Sequence, residues 1–266
     1  MTADSPGSRG DLLEYATAVA TAEDTKTVFE DLARAAERAF EFSSRVVEAQ
    51  ENGVLSVRSW SGDPPRRGGI DADEGLAGHA YQTGETVHVP DIREDPRVED
   101  VPDDAPLSVL SVPIGDAGVF QAGRDDPGGF DEAEVAVVEQ LAEHARRAVE
   151  RIRSQQRVEA SERRFRSLFE DADNPLVLYR TDDSAPDPIE FANEAAEELF
   201  DATEAELSEV GLDSLLAADP DALVPDGGAH TVETELSDPA SMRVLDVTVK
   251  PMPGAAGVDA FAELRD

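Results

Sequence analysis

The sequence predicts an α+β chain of two domains, each built of helices and short strands, joined by a long helix. Three observations carry that expectation. The 266 residues suit two domains of about 130 residues each, and a domain of that size buries about two-thirds of its unfolded surface, enough for its own core. In both halves the hydrophobic period changes between helical and alternating. Between them lies the helical run "GGFDEAEVAVVEQLAEHARRAVERIRSQQRVEASERRFRSLFEDA".

Residues 1–10 are small and polar and read as a disordered tail. The first domain is expected over residues 11–150. It opens with two helices in "DLLEYATAVATAEDTKTVFEDLARAAERAF". Thr21 with Asp24 forms a capping box for the second, whose Val28, Phe29, Leu32, Ala35, Ala36 and Phe40 recur at helical spacing. The segments "SSRVVEAQ", "GVLSVRSW", "ETVHVPDI", "LSVLSVPI" and "GVFQAG" are short, rich in β-branched residues and bounded by Gly, Pro or Asp, so they read as strands. The turn Gly115-Asp116-Ala117-Gly118 joins the last two as a hairpin. Gly75 opens the short helix "LAGHAYQ" and Gly84 closes it with positive φ.

In the long helix, Asp131 with Glu134 caps the start. Val138, Leu141, Ala145, Ala148 and Ile152 follow a 3-4 spacing that packs on the first domain. The register then slips by one between Gln155 and Val158, and Val158, Ser161, Phe165, Leu168 and Ala172 form a new seam. Residues 151–164, dominated by Arg, Glu and Gln, are the helical, coiled-coil linker. The second domain is expected over residues 165–266. "PLVLYRTDD" and "PIEFA" read as strands, Asn193 caps the helix "NEAAEELFD", and Thr203 with Glu206 caps the next. "GLDSLL" is a further helical turn. "AHTVETELS", "MRVLDVTVKPM" and "VDAFAELRD" are alternating strands, giving the order β-β-α-α-α-β-β-β.

The charge excludes several function classes. There are 59 acids against 23 Lys+Arg, a net charge of −36, and the acids spread over the whole chain. Such a surface repels itself at low ionic strength; the screening length falls from about 10 Å at 0.1 M salt to about 3 Å at 1 M. The composition therefore predicts a halophilic, cytoplasmic protein. Phosphate backbones need clustered Lys and Arg, so nucleic acid is not an expected partner. No apolar run approaches the ~20 residues that span a bilayer, so neither is a membrane, and "MTADSPGSRGDLL" lacks a signal-peptide pattern. With no cysteine, thiolate chemistry, disulfides and a cysteine-linked chromophore are excluded.

The stretch "GLAGHAYQTGETVHVPDIREDPR" resembles the G-x-x-G…TG-x-x-x-x-V-x-D…DPR pattern of the GAF family. "SVLSVPI" and "PGGFDEAEVAVVEQLAEHARRAVE" continue the resemblance over residues 12–150. "ERRFRSLFEDADNPLVLYRTDD", "IEFANEAAEELFDATEAEL" and "RVLDVTVKPM…VDAFAELRD" resemble a PAS domain over residues 161–266. The acidic style is similar to that of haloarchaeal GAF–PAS signalling proteins. The resemblance implies, for each domain, a central antiparallel sheet flanked by helices with a cavity between sheet and helices, and a conformational change passed along a helix.

Trp60, His79 and Tyr81 are candidates to line the first cavity. Tyr179, Phe191, Asn193 and Phe200 are candidates for the second, where core packing is the ordinary role of the aromatics and capping that of Asn193. No metal or catalytic residue is expected. Gly75, Gly78 and Gly84 fit neither a Rossmann loop nor a P-loop, and His79 and His88 with Asp91 lack a ligand set of recognisable spacing. His144 lies in "LAEHARRAVERI", which departs from the phospho-acceptor pattern of sensor kinases. The cofactor is unknown. A flavin photoadduct of the PAS type needs a cysteine, and His230 sits before a strand where a haem ligand would sit on a helix, so neither is expected. Hence the expected function is non-enzymatic: a cytoplasmic sensory protein binding a small molecule or partner and relaying the change through the linker of a homodimer. The alternatives are a non-sensing adaptor for a histidine kinase or transcription regulator, and a regulator of the bacterio-opsin-activator type, whose DNA-binding helix pair does not follow "AELRD" here.

Overall fold

The structure, a computed structural model, describes residues 9–40, 42–60, 69–98, 101, 105–181, 186–225, 228–237, 243–252 and 260–265. Residues 1–8 of the expected tail lie outside them. The chain divides into two compact units at Arg157 and Val158.

The first unit begins with α1 (Arg9–Thr21) and α2 (Thr25–Ala39). Its sheet comprises β1 (Ser43–Ala49), β2 (Val54–Trp60), β3 (Gly69–Asp71), β4 (Val87–Val89), β5 (Ser108–Pro113) and β6 (Gly118–Arg124), in the order β3-β2-β1-β6-β5-β4. Every pairing is antiparallel. α3 (Gly75–Thr83) lies between β3 and β4 in sequence, and α4 (Glu132–Glu170) follows β6. The cap of α2 differs from the expected box. Asp24 alone is the N-cap, accepting from the Thr27 N–H at 2.8 Å, while the Thr21 hydroxyl bonds back to the Thr17 and Ala18 carbonyls and closes α1. The three-residue edge strand β3 is too short to register as an alternating pattern.

The sheet has two covered faces. On one, Val28, Phe29, Leu32 and Ala36 of α2 and Val138, Leu141, Ala145 and Ile152 of α4 pack on Val46, Leu110, Val112 and Phe120. On the other, Leu76, Ala77 and Ala80 of α3 pack on Val47, Leu55, Val87 and Val119. Neighbours Val46 and Val47 thus serve opposite cores, as strand alternation requires. Opposite them, β2 slips register: Val46 pairs with Ser59 and Val47 with Val57, leaving Arg58 as the bulged residue. The chain turns from β5 into β6 through the 3-10 turn Gly115–Ala117, with the Ile114 N–H donating to the Gly118 carbonyl at 2.8 Å.

The second unit is a five-stranded antiparallel sheet in the order β8-β7-β11-β10-β9. Its strands are β7 (Leu176–Thr181), β8 (Pro186–Ala192), β9 (His230–Glu235), β10 (Val244–Pro251) and β11 (Ala260–Arg265); α5 (Glu194–Phe200), α6 (Glu204–Leu207) and α7 (Leu212–Leu215) fall between β8 and β9 in sequence. This is the anticipated element order. Asn193 caps α5, and Thr203 with Glu206 forms a complete capping box on α6. Every buried member of the main core, including Val177, Tyr179, Ile189, Leu207 and Val247, is at most 2% exposed.

The long helix joins the two sheets. Its first part is buried as the 3-4 spacing demands, with Val138, Leu141, Ala145, Ala148 and Ile152 at 0–6% exposure. From Ser154 to Leu168 every residue is exposed, including the apolar Val158, Phe165 and Leu168 of the second seam. Phe169 is buried again, against Leu178 and the partly buried Phe261.

Candidate functional site

Strand register builds a polar row on the α3 face of the first sheet. Trp60 pairs with Arg45, Arg45 with Gln121, Gln121 with Ser111 and Ser111 with Val87. These residues run side by side across β2, β1, β6, β5 and β4, since paired residues share a face. Three of them are hydrogen-bonded in series. The Arg45 Nε donates to Gln121 Oε1 at 2.8 Å, and Gln121 Nε2 donates to Ser111 Oγ at 2.9 Å. Gln121 and Ser111 are buried and Arg45 is half-buried. Burial holds the Arg45 guanidinium below its ordinary pKa, because desolvation disfavours its charge. No carboxylate among the described residues pairs with it.

That isolation sets Arg45 apart. The other described arginines that are partly sheltered are Arg124, Arg146 and Arg153. They pair with Glu134 at 2.7 Å, with Glu143 at 2.7 Å and with Asp116 at 3.3 Å, respectively. Within the row, Arg45 has a side-chain amide where the others have a charge.

The expected pocket residues of this unit lie around the row. Trp60 is its outer end and 47% exposed. Tyr81 is half-buried against the α3-face core. His79 is exposed on α3, close enough to Asp95 to contribute, after the dominant Arg97 bond, to the low pKa of that carboxyl. His88, exposed on β4, sits edge-on to Phe130 at 5.9 Å between ring centroids. No group of three His, Asp or Glu suited to a metal occurs among the described residues. The Gly84 N–H donates to Ala80 O at 3.0 Å with φ +68°, so this glycine ends α3 in the left-handed conformation.

In the second unit Tyr179 is fully buried and donates its hydroxyl to Leu223 O at 2.6 Å; burial raises its pKa well above the ordinary phenol range. Phe200 is half-buried against the same core. Phe191 lies elsewhere. It pairs with Leu178, while Ile189 pairs with Tyr179 and Ala192 with Val177. The bulge that places both Ile189 and Ala192 in the core turns Phe191 to the Leu178 face, where it is 37% exposed. Asn193 is wholly buried. Its Oδ1 accepts from the N–H groups of Leu176 and Ala196, and its Nδ2 donates to the carbonyls of Phe169, Ala172 and Asn174 at 3.0–3.2 Å. The aromatic and asparagine candidates are thus distributed over two faces of the sheet.

Along α4 the charges are laid out as ladders. Arg146 bonds Glu143 and Glu150, and Arg147 bonds Glu143, at i, i+3 or i, i+4. The two guanidinium groups bring Glu143 down to a pKa of about 2. Arg151 donates to Ala22 O at 2.7 Å and fixes α4 against the turn before α2. His144 is exposed, its ring edge-on to Tyr15 at 6.5 Å between centroids.

Sequence reading singled out Trp60 without seeing the row behind it. The available signal was Arg45 itself, a charge at an alternating position of the strand "SSRVVEAQ". Its partners Gln121 and Ser111 are distant in sequence and share no local motif with it.

The GAF domain profile matches residues 22–150 and the PAS domain profile residues 163–232. The reduced form of fRMsr of Staphylococcus aureus shares the fold over 56% of this chain and 99% of its own, with TM-score 0.50 and 15% identity. The GAF domain of an Acinetobacter phosphoenolpyruvate-protein phosphotransferase aligns over 55% of this chain and 93% of its own, with TM-score 0.49 and 17% identity. The substrate complex of free methionine-R-sulfoxide reductase from Neisseria meningitidis aligns over 55% and 90%, with TM-score 0.49 and 23% identity. No curated protein matches. The six-stranded first unit is a GAF domain over residues 22–150, and a PAS domain follows it over residues 163–232.

Proposed function

We propose that the chain is a non-enzymatic, cytoplasmic signal-transduction protein, in which a small molecule or partner bound by the GAF or PAS domain changes the state of α4. The observation that carries this reading is the solvation of α4 between two anchored ends. Ile152 is buried in the first core and Phe169 in the second unit, yet everything from Ser154 to Leu168 is exposed. A helix without tertiary burial is marginal in water. Val158 and Phe165 are one heptad apart, as are Ser161 and Leu168, which is the spacing of a two-stranded seam. A second copy of the chain, pairing along this stripe, would bury it. The slip between Gln155 and Val158 then offers two registers, and a ligand that favours one shifts the population. The output is carried by a partner, a histidine kinase or a transcription regulator. The acidic surface, with its net charge of −36, suits the cytoplasm of a salt-accumulating organism of the haloarchaeal kind.

The test is mass measurement by light scattering in molar KCl. A dimer is expected, converted to a monomer with unchanged circular dichroism by Phe165→Glu with Leu168→Glu. A wild-type monomer at micromolar concentration would sink the proposal.

One observation favours a second reading for the PAS domain. Its main core is closed to solvent, and the Tyr179 hydroxyl within it is already satisfied by Leu223 O. On this second reading the PAS domain is an adaptor, docking a partner on its surface, while sensing resides in the GAF domain.

A further inference from the structure

We infer that Arg45 is the recognition group for a small ligand bearing an oxyanion headgroup, a carboxylate or a phosphate, bound on the α3 face of the GAF sheet beside Trp60. The inference rests on the GAF domain being the sensing module and specifies the chemistry of what it senses.

Three observations converge. First, Arg45 is a half-buried cation without a carboxylate partner among the described residues, in a chain where acids outnumber Lys+Arg by 59 to 23. Abundant acids make such a vacancy hard to reach by accident, and the comparable arginines Arg124, Arg146 and Arg153 each have an acid in place. A desolvated charge costs stability unless something compensates it. Second, the guanidinium is held in position. Gln121 accepts from Nε, and Ser111 in turn fixes Gln121, so a buried neutral relay orients the group without neutralising it. This leaves the two terminal nitrogens as donors with no acceptor among the described residues. A guanidinium fixed at Nε, with neither terminal nitrogen bonded to a described residue, matches the paired oxygens of a carboxylate or phosphate. Third, the row opens to solvent on the Arg45 side. Gln121 and Ser111 are closed off, whereas Trp60, the strand partner of Arg45, is 47% exposed. The indole offers an apolar, stackable surface for the rest of a ligand whose headgroup sits on Arg45.

Trp60 is the chain's single tryptophan, so its fluorescence reports this site directly. The full chain is titrated with inorganic phosphate and, separately, with acetate, each exchanged for chloride at constant ionic strength. A saturable change with either anion is expected, and the one that binds tenfold or more tightly identifies the headgroup. Arg45→Met removes the cation and Gln121→Glu supplies an internal counter-ion; each is expected to weaken binding at least tenfold. Both are expected to melt at or above the wild-type temperature, because each relieves an uncompensated charge. The inference is overturned if neither anion produces a saturable change, if binding survives in both variants, or if Arg45→Met and Gln121→Glu both melt well below the wild type, which would make the row structural. Anion binding in a chain that is monomeric throughout would uphold this site and defeat the α4 relay. A dimer that binds neither anion would do the reverse.

Discussion

The side-chain amide of Asn193 donates to the main-chain carbonyl of Phe169 at 3.1 Å, so the residue that caps α5 also holds the last turn of α4. The same amide reaches the carbonyls of Ala172 and Asn174, and Oδ1 accepts from Leu176 at the start of β7. One wholly buried side chain therefore fixes how the long helix hands over to the PAS sheet.

Asn193→Ala is expected to destabilise the PAS unit by about 2–4 kcal/mol. An N-cap contributes ~1 kcal/mol, and orphaned buried carbonyls add ~1–3 kcal/mol. Urea unfolding followed by far-ultraviolet circular dichroism should show an earlier transition. Trp60 fluorescence, which reports only the GAF unit, should keep its midpoint. Equal shifts in both signals would count against a local role.

Tyr179→Phe tests the closure of the PAS core. Loss of the 2.6 Å bond to Leu223 O leaves a carbonyl unpaired in a dry environment; a cost of about 1–2 kcal/mol is expected. The phenol also predicts alkaline instability. Its folded-state pKa is raised by burial, so its contribution is intact below the ordinary value of about 10 and is lost as pH rises beyond it. Tyr179→Phe should flatten that alkaline decline.

Gly118→Ala should prevent the GAF sheet from closing. The residue has φ +148°, and a Cβ there would overlap the Val47 carbonyl oxygen on β1. No flexible side chain can yield, because the clash is with backbone. Loss of soluble folded protein, or of the cooperative Trp60 transition, is the expected result; a wild-type melting curve would contradict it.

The Glu143 carboxyl should titrate near pH 2, measured by side-chain carbon chemical shifts. The largest cause is its bond from Arg146, followed by that from Arg147. Because the folded pKa is depressed, the pair contributes above the ordinary value of about 4.3, and the contribution fades as pH falls from there towards about 2. Arg146→Ala should raise the midpoint more than Arg147→Ala does. The side chain is 41% exposed, so molar salt should reduce both effects.

Folding should require salt. With a net charge of −36, self-repulsion is screened over about 3 Å at 1 M but about 10 Å at 0.1 M. A KCl series followed by circular dichroism should show cooperative gain of structure towards molar salt. Full folding in dilute buffer would remove the halophilic reading.

What the sequence by itself determined is the set of features whose causes are local. Strand alternation, the 3-4 spacing of Val138 to Ile152, the boxes at Asp131–Glu134 and Thr203–Glu206, and the left-handed Gly84 all arise from residues a few positions apart, and all are present. Tertiary structure decided what depends on register between distant segments. Arg45, Gln121 and Ser111 become neighbours only because β1, β6 and β5 pair as they do. A single bulged residue decides that Phe191 leaves the core Ile189 and Ala192 enter, and α2 took its cap from Asp24 rather than Thr21 because Thr21 was already spent on closing α1. The long helix shows the division most plainly. Its two seams read alike in sequence, yet one is buried on the GAF sheet and the other is left in solvent. Periodicity says which residues share a face; only the neighbouring backbone says whether anything lies against it.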